Sequence, residues 1–112
     1  MTKATLQSYH AIKREVRQIT RLLRAPEANI AYDTEEGQEL LALYRAKCDR
    51  LVAAQRQIED AIDALSPTER TILRGRYIEG RSWTAICQEI HFSRTSAFRI
   101  HDNAVRKLAR NA

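Results

Sequence analysis

The sequence predicts an all-α protein. Its 112 residues include only 3 Gly and 2 Pro, which is little turn material for a sheet protein. Apolar residues recur every three or four positions over long stretches, and serines precede several of these stretches, as in amphipathic helices with N-caps. We expect a long, coiled-coil-like antiparallel helical hairpin over residues 1–64, followed by a three-helix module over residues 65–112, which we name the C-terminal module.

The first helix is predicted over residues 3–24. Its apolar face has spacings of three and four residues and comprises Tyr9, Ile12, Val16, Ile19 and Leu23. Pro26 is expected to end this helix, because proline lacks the backbone N–H that continues the hydrogen-bond ladder. The following segment, residues 25–34, has little apolar periodicity and is predicted to be a loop.

The second helix is predicted over residues 35–64. Its apolar positions alternate spacings of three and four along the whole length, as in a coiled-coil seam: Leu41, Tyr44, Cys48, Leu51, Gln55, Ile58, Ile62 and Leu65. Residues 1–24 have a net charge of +5 and residues 25–64 a net charge of −5, which favours pairing within one chain. An intermolecular coiled coil satisfies the same pattern, so a monomer or a homodimer through the hairpin is expected.

The C-terminal module is predicted to begin with a capped support helix. Ser66 and Glu69 have the spacing of a capping box, in which each side chain bonds to the backbone N–H of the other residue. Pro67 suits the first helical position, where its missing N–H costs nothing. Gly80 is expected to end this helix, because glycine readily adopts the left-handed conformation of a C-cap.

A helix-turn-helix is predicted in the rest of the module. Ser82 caps a short helix over residues 83–90, on which Cys87 is expected at the closest approach of two helices. A three-residue turn follows, with a left-handed residue, a core aromatic residue and an N-cap: His91, Phe92 and Ser93. The buried stripe of the last helix is predicted to comprise Ala97, Ile100, Ala104 and Leu108.

The positive charge of the chain is concentrated in the C-terminal module. Residues 65–112 contain nine basic and four acidic residues, whereas residues 1–64 contain ten of each sign. A localised basic excess on a helix-turn-helix is the electrostatic footprint of a surface that binds a polyanion. The predicted partner is double-stranded DNA, and the plain alternative is a solvated basic face without a partner.

The last helix carries the candidate DNA contacts. A recognition helix inserts its N-terminal turns into the major groove, where Arg can bond to guanine and the Thr methyl can meet thymine. The predicted base-reading residues are Arg94, Thr95 and Arg99. The predicted phosphate contacts are Ser93, Ser96, Arg106, Lys107 and Arg110.

Three other side chains of this helix need an explanation. Asp102 is out of place on a DNA-binding face and is expected to pair with Arg106 or Arg99. Phe98 is expected to pack rather than to contact thymine, because an apolar aromatic residue at helical spacing usually belongs to a core. His101 is expected to be a partly buried helix-packing residue.

Several segments of the module carry a family resemblance. They are Leu65-Ser-Pro-Thr-Glu-Arg, Ile72-Leu73-x-x-Arg76-Tyr77, Ser82-Trp83-x-x-Ile86, Phe92-Ser93-Arg94-Thr95 and Val105-Arg106-Lys107-Leu108. Together they resemble region 4 of sigma-70-type transcription initiation factors. The resemblance implies that the module reads a promoter −35 element and touches the flap of RNA polymerase, with Arg94, Thr95 and Arg99 at base-reading positions.

The chain also departs from that family. Sigma factors usually have a charged residue where Phe98 stands and a small or acidic residue where His91 stands. Nothing in residues 1–64 resembles the sigma region that melts promoters. A helical hairpin followed by a lone region 4 module is similar to small phage-encoded late-gene transcription regulators of the RinA and ArpU type, which implies a phage or prophage origin.

The sequence does not favour an enzyme or a membrane protein. It has no Gly-rich phosphate loop and no nucleophile signature, so neither catalysis nor a cofactor is expected. Cys87 and His91 have metal-ligand spacing, but no fourth ligand is placed, and no metal site is expected. No apolar run approaches the roughly 20 residues of a membrane span and the start has no signal-peptide core, so a cytoplasmic protein is expected.

The predicted function is sequence-specific binding of double-stranded DNA in transcription regulation, and two alternatives stay open. A protein-interaction adaptor that docks on RNA polymerase would bind with little dependence on salt, whereas DNA binding weakens by orders of magnitude as salt rises. A small terminase-like subunit that recognises DNA-packaging sites would form a ring, which light scattering distinguishes from a monomer or dimer.

Overall fold

The computed structural model of the chain describes residues 1–25 and 33–110. Every regular element within those ranges is helical, which confirms the predicted all-α class. In chain order the elements are α1 (Lys3–Gln7), α2 (Tyr9–Arg24), α3 (Glu35–Asp63), α4 (Pro67–Leu73), a π-helix (Arg74–Ile78), α5 (Trp83–Ile90) and α6 (Arg94–Arg110). Pro26 and most of the predicted loop lie outside the described residues. No helix in the described ranges combines the length and the apolar character needed to cross a membrane.

The described residues form two compact units. One unit contains Met1–His10 together with the chain from Gln57 onward, and the other contains Ala11–Arg56. The beginning of the chain is therefore packed with the C-terminal segment. Periodicity along the sequence did not predict this association, because it reports which residues share a helix face and not which distant segments meet.

Helices α2 and α3 contact each other within the unit Ala11–Arg56. Lys47 Nζ of α3 lies 2.7 Å from Glu15 Oε1 of α2, and each side chain is about half exposed. An exposed ion pair of this kind contributes about 0–1 kcal/mol, so apolar burial supplies most of the stability. Among the described residues of this unit, the buried hydrophobic side chains are Ile19 and Leu41, with exposed fractions of 6% and 3%.

The predicted heptad positions of α3 agree with the burial along this helix. None of these side chains is exposed, and Ile58 and Ile62 are almost completely buried. The most exposed large apolar side chain of α3 is Leu43, which lies outside the predicted seam and is 67% exposed. The spacing in the sequence therefore identified the inner face of this helix correctly.

The predicted single helix over residues 3–24 is wrong at Ser8, which separates α1 from α2. Ser8 Oγ donates a hydrogen bond to the Thr5 carbonyl at 2.6 Å. Serine favours such local bonds over an uninterrupted helix. The apolar stripe survives the interruption, because Leu6 and Tyr9 on either side of Ser8 are each only 1% exposed.

Two long-range hydrogen bonds hold the first ten residues in their unit. The Tyr9 hydroxyl donates to Glu59 Oε1 of α3 at 2.5 Å. The ammonium group of Met1 donates to the Leu108 carbonyl of α6 at 3.1 Å. These bonds satisfy polar groups that burial would otherwise leave unpaired, so they add specificity to the apolar packing.

The core of the C-terminal module depends on a close approach between the π-helix and α5. Gly75 is buried, and a Cβ atom placed on it would stand 2.9 Å from Ile86 Cγ1. Ile86 is itself fully buried, so its side chain has no space to yield. Gly75 thus occupies a tight position between the π-helix and α5, whereas Cys87, predicted at the closest approach of two helices, is half buried.

The π-helix extends α4 with one wider turn. The Glu79 N–H donates to the Arg74 carbonyl at 2.8 Å, which is the i→i+5 pattern of this helix type. Gly80 then adopts a φ of +67° and ends the helical segment, as predicted. The wider turn places both Gly75 and Tyr77 on the buried side of the segment.

We expect Gly75→Ala to lower the free energy of unfolding. Overpacking a core costs about 1–3 kcal/mol, which exceeds the roughly 0.5–1 kcal/mol that Ala gains over Gly in a helix. Urea denaturation followed by circular dichroism measures the change. Gly80→Asn is the control, because asparagine tolerates a positive φ. A Gly75→Ala protein as stable as the wild type would contradict the close approach.

Candidate nucleic-acid interface

The two helices of the predicted helix-turn-helix are capped by their own serines. Ser82 Oγ accepts a hydrogen bond from the Ala85 N–H at 3.1 Å at the start of α5. Ser93 Oγ accepts one from the Ser96 N–H at 3.2 Å at the start of α6. Between these caps, His91 has φ 59° and ψ 38°, which is the predicted left-handed conformation. Local turn chemistry thus determines where both helices begin and end.

Phe92 does not enter the core, which corrects the prediction. It is 43% exposed. Ile86 of α5 and Ala97 of α6 are fully buried, so the interior between these two helices is filled without the Phe92 ring. The Phe92 ring instead lines a surface groove of about 590 Å³, the Phe92 groove, whose walls are Ser66, Thr68, Glu69, Phe92, Ile100, Asn103, Arg106, Lys107 and Arg110.

The outer face of α6 presents four of the predicted DNA contacts together. They follow one another at spacings of four, seven and four residues, which places them on one side of the helix, and all are exposed: Thr95, Arg99, Arg106 and Arg110. The opposite side is buried and comprises Ala97, His101, Ala104 and Leu108. Of the predicted buried stripe, Ile100 alone is only half buried.

Arg94 lies at the edge of this face and is held by α5. Its Nη2 donates a hydrogen bond to Thr84 Oγ1 at 2.8 Å, and both residues are exposed. Thr84 could not be predicted as a partner from the sequence, because the two residues lie on different helices. The bond leaves other N–H groups of the guanidinium available, since Arg has five donors.

The predicted phosphate contacts have different surroundings. Ser93 and Ser96 form the cap of α6, and their hydroxyls lie 3.2 Å apart. Arg106 Nη1 donates to Asn103 Oδ1 at 3.2 Å within the same helix. Arg110 is exposed in the last turn of α6. Lys107 is turned toward α4, where its Nζ lies 2.9 Å from Glu69 Oε2.

Glu69 connects the start of α4 to the end of α6. Its Oε1 accepts hydrogen bonds from the Ser66 N–H at 3.3 Å, the Ser66 hydroxyl at 2.6 Å and Lys107 Nζ at 3.0 Å. Burial of the carboxyl raises its pKa, but the bonds from Ser66 and Lys107 outweigh that effect, and the pKa of Glu69 is lowered. The predicted capping box is present, and it includes a cation that the sequence did not place there.

Asp102 pairs with His101, and not with Arg106 or Arg99 as predicted. Its Oδ1 lies 2.9 Å from His101 Nδ1. The hydrogen bond from His101 lowers the pKa of Asp102, with a smaller contribution from the charge of Arg106.

Tyr77, His101 and Asp102 form a hydrogen-bonded chain. The Tyr77 hydroxyl lies 2.7 Å from His101 Nε2, and His101 is 5% exposed. An ionised Asp102 only accepts hydrogen bonds, so His101 Nδ1 donates to it; in a neutral imidazole Nε2 then accepts from the Tyr77 hydroxyl. Burial raises the pKa of Tyr77, which keeps the hydroxyl protonated as a donor. The position of His101 between Ala97 and Ala104 in the buried stripe was the available sequence signal.

Aromatic rings pack around His101, the middle residue of this hydrogen-bonded chain. Trp83 meets Phe98 edge to face at a centroid distance of 4.6 Å and meets His101 at 5.3 Å. Phe98 is still 40% exposed. Its ring is therefore packed on one side and in solvent on the other, as expected for an aromatic residue at the margin of a core.

No group of three or more potential metal ligands lies together among the described residues. Cys87 is half buried, and His91 is exposed in the turn that it forms. Both residues therefore have structural explanations: Cys87 as a small packing side chain and His91 as the left-handed turn residue.

Comparison with known proteins identifies one family. The model of the family described as "Protein of unknown function (DUF722)" matches residues 24–110. Neither a curated protein nor a solved structure matches the chain. The match includes the second long helix and nearly all of the C-terminal module, and it begins after most of α2.

We expect Glu69→Gln to reduce the loss of stability in acid. The folded protein has a lowered pKa at Glu69, so this carboxylate stabilises the fold above the unfolded pKa of about 4.5, and the contribution is lost as pH falls through the folded value. Urea denaturation at about pH 6 and about pH 3 measures it. Glu79→Gln, at an exposed acid, is the control. Equal acid sensitivity of the two variants would contradict the assigned role.

Proposed function

The chain belongs to the DUF722 family of proteins of unknown function, and we propose that it binds double-stranded DNA sequence-specifically through α6 in transcription regulation. One observation carries this proposal: the exposed face of α6 that contains Thr95, Arg99 and Arg106, opposite a side fixed in the core. A helix that is rigidly packed on one side and carries Arg and Thr on the other has the groups needed to read base edges in a major groove.

The arrangement proposed for the C-terminal module is a sigma region 4-like helix-turn-helix. Helices α5 and α6 form the motif, and α4 supports it. The support for this arrangement is the three-residue turn with a left-handed His91, together with the serine caps on both sides of the turn. The preceding segment, residues 1–64, is proposed to form the antiparallel hairpin, for which the contact between Glu15 and Lys47 is supporting evidence.

Charge supports DNA as the partner. The whole formal net charge of +5 is located in residues 65–112. Arg99 and Arg110 add exposed positive charge to α6, whereas Lys107 is already paired with Glu69. In this proposal the protein is not an enzyme, acts in the cytoplasm, needs no cofactor, and works as a monomer or as a homodimer through the hairpin.

We expect Arg94→Ala and Arg99→Ala each to weaken binding to the selected duplex by about 1–3 kcal/mol and to relax the base preference at one position. Arg106→Ala should weaken binding to all sequences alike, because phosphate contacts carry no base information. The target comes from selection in random duplex DNA, and fluorescence anisotropy at several salt concentrations gives the affinities.

Arg50→Ala is the matched control for this experiment, because Arg50 is an exposed arginine of α3. It should bind the selected duplex as the wild type does. Unchanged affinity of the Arg94/Arg99 double variant would contradict the assignment of α6 as the reading helix. Affinity that is insensitive to salt would contradict DNA binding through phosphates.

A second candidate function is docking on RNA polymerase as a protein-interaction adaptor. The observation that favours it is the Phe92 groove, where a 43% exposed aromatic ring lies beside half-buried Ile100. Exposed aromatic residues next to basic side chains are enriched at protein interfaces. The groove lies beside the outer face of α6, so one module has the surface for both kinds of partner.

Phe92→Gln separates the two functions. If the groove docks on RNA polymerase, this variant should lose polymerase binding in a pull-down with purified enzyme and keep its affinity for the selected DNA. The exposure of Phe92 means that folding should be little affected. Polymerase binding that survives the substitution would exclude the groove as the docking site.

A further inference from the structure

A second concave site lies between the start of the chain and the C-terminal module. It is a cleft of about 290 Å³, and we name it the Trp83 cleft. Residues of α1, α2, the π-helix, α5 and α6 line it, among them Lys3, His10, Arg76, Tyr77, Trp83 and His101. All belong to the same compact unit. None is on the outer face of α6, so the proposed DNA-binding face does not account for this site.

Two cations of the cleft form no ion pair with a described carboxylate. Neither Lys3 nor Arg76 has a carboxylate within 4 Å among the described residues. Three other cations of the same unit are paired: Arg74 with Asp63, Arg81 with Glu89 and Lys107 with Glu69. Arg76 is also half buried, where an unpaired charge is more costly than at the surface.

The guanidinium of Arg76 is held in a fixed orientation. Its Cζ lies 5.3 Å from the centroid of the Trp83 ring, and its Nη1 donates to the Arg81 carbonyl at 3.0 Å. Stacking on an indole orients the planar guanidinium, which has five N–H donors. The bond to one carbonyl uses only part of them. The remaining N–H groups are therefore available to a ligand at a defined place.

The other polar groups of the cleft differ in whether they have hydrogen-bond donors available for a ligand. The Tyr77 hydroxyl and both nitrogens of His101 are engaged in the chain that ends at Asp102. The charge of Lys3 acts on Asp102 and helps to lower its pKa, so Asp102 offsets part of the positive potential. His10 is exposed at the rim and adds a ring N–H donor.

The remaining donors belong to three elements: Lys3 of α1, His10 of α2 and Arg76 of the π-helix. A carboxylate has two oxygens in one plane, whereas a phosphate has oxygens arranged in a tetrahedron. Separate donors on different elements around one cleft suit the second geometry better, and Arg binds phosphate with particular strength. The size of the cleft accommodates a phosphate with a small organic group.

We propose that the Trp83 cleft binds a phosphate group, held by Arg76, Lys3 and His10. The phosphate has two available sources, a free organic phosphate of up to mononucleotide size and the backbone of bound DNA. The proposal does not depend on the function assigned to α6, because a free phosphate would bind in the absence of DNA.

The test uses Trp83 as the reporter, since it is the only tryptophan of the chain. The full chain is titrated with inorganic phosphate and with adenosine monophosphate in phosphate-free buffer, and tryptophan fluorescence is recorded. We expect a saturable change whose dissociation constant rises about tenfold in Lys3→Ala, as loss of one charge-assisted contact implies. Lys13→Ala is the matched control, because Lys13 does not line the cleft.

A third variant, Arg76→Lys, keeps the charge and removes the planar donor group. It should weaken binding with an unchanged circular dichroism spectrum. If neither small probe gives a saturable change but duplex DNA does, and Lys3→Ala weakens that response, the phosphate is that of the DNA backbone. The proposal is overturned if no phosphate-bearing probe responds, or if Lys3→Ala and Lys13→Ala behave alike.

Discussion

The close packing around Gly75 is the constraint on which the rest of the C-terminal module depends. Because residue 75 has no side chain, Ile86 of α5 comes into contact with the π-helix backbone and fills the interior. Ala97 and Ala104 of α6 are fully buried in the same core, and small side chains allow helices to approach closely. The core is thus complete without the ring of Phe92, and both that ring and the polar face of α6 are left to the surface.

A second connection runs through Glu69 and pairs a surface cation with a buried carboxylate. Lys107 was expected to serve DNA, but the carboxylate at the start of α4 binds it across 38 residues of sequence. The pair ties the first turn of the support helix to the last turns of α6, where the lysine also suits the helix dipole. In the proposed DNA-binding role, phosphate contact by Lys107 would compete with this bond. The exposed Arg106 and Arg110 have no such competitor among the described carboxylates.

The sequence predicted what short-range chemistry determines. The caps at Ser82 and Ser93, the left-handed turn at His91 and the stop at Gly80 all rest on contacts within about five residues, and all are present. Apart from the local interruption at Ser8, the errors concern contacts at longer range or unusual helix geometry. Asp102 pairs with His101, and the His101 ring is also hydrogen-bonded to Tyr77, 24 residues away in the sequence. The π-helix and the packing of residues 1–10 with the C-terminal segment arise from tertiary packing, which periodicity does not encode.

The hydrogen bond from Arg94 to Thr84 has a consequence for the energetics of recognition. An exposed arginine loses much of its rotational freedom when it binds a partner, and that loss opposes binding. Here α5 already restricts the guanidinium before any partner arrives. Part of the side-chain entropy is therefore lost when the module folds and not when the partner binds. In the proposed role, Arg94 would meet a base edge as a preorganised group, whereas the neighbouring Arg99 would have to be ordered at the moment of contact.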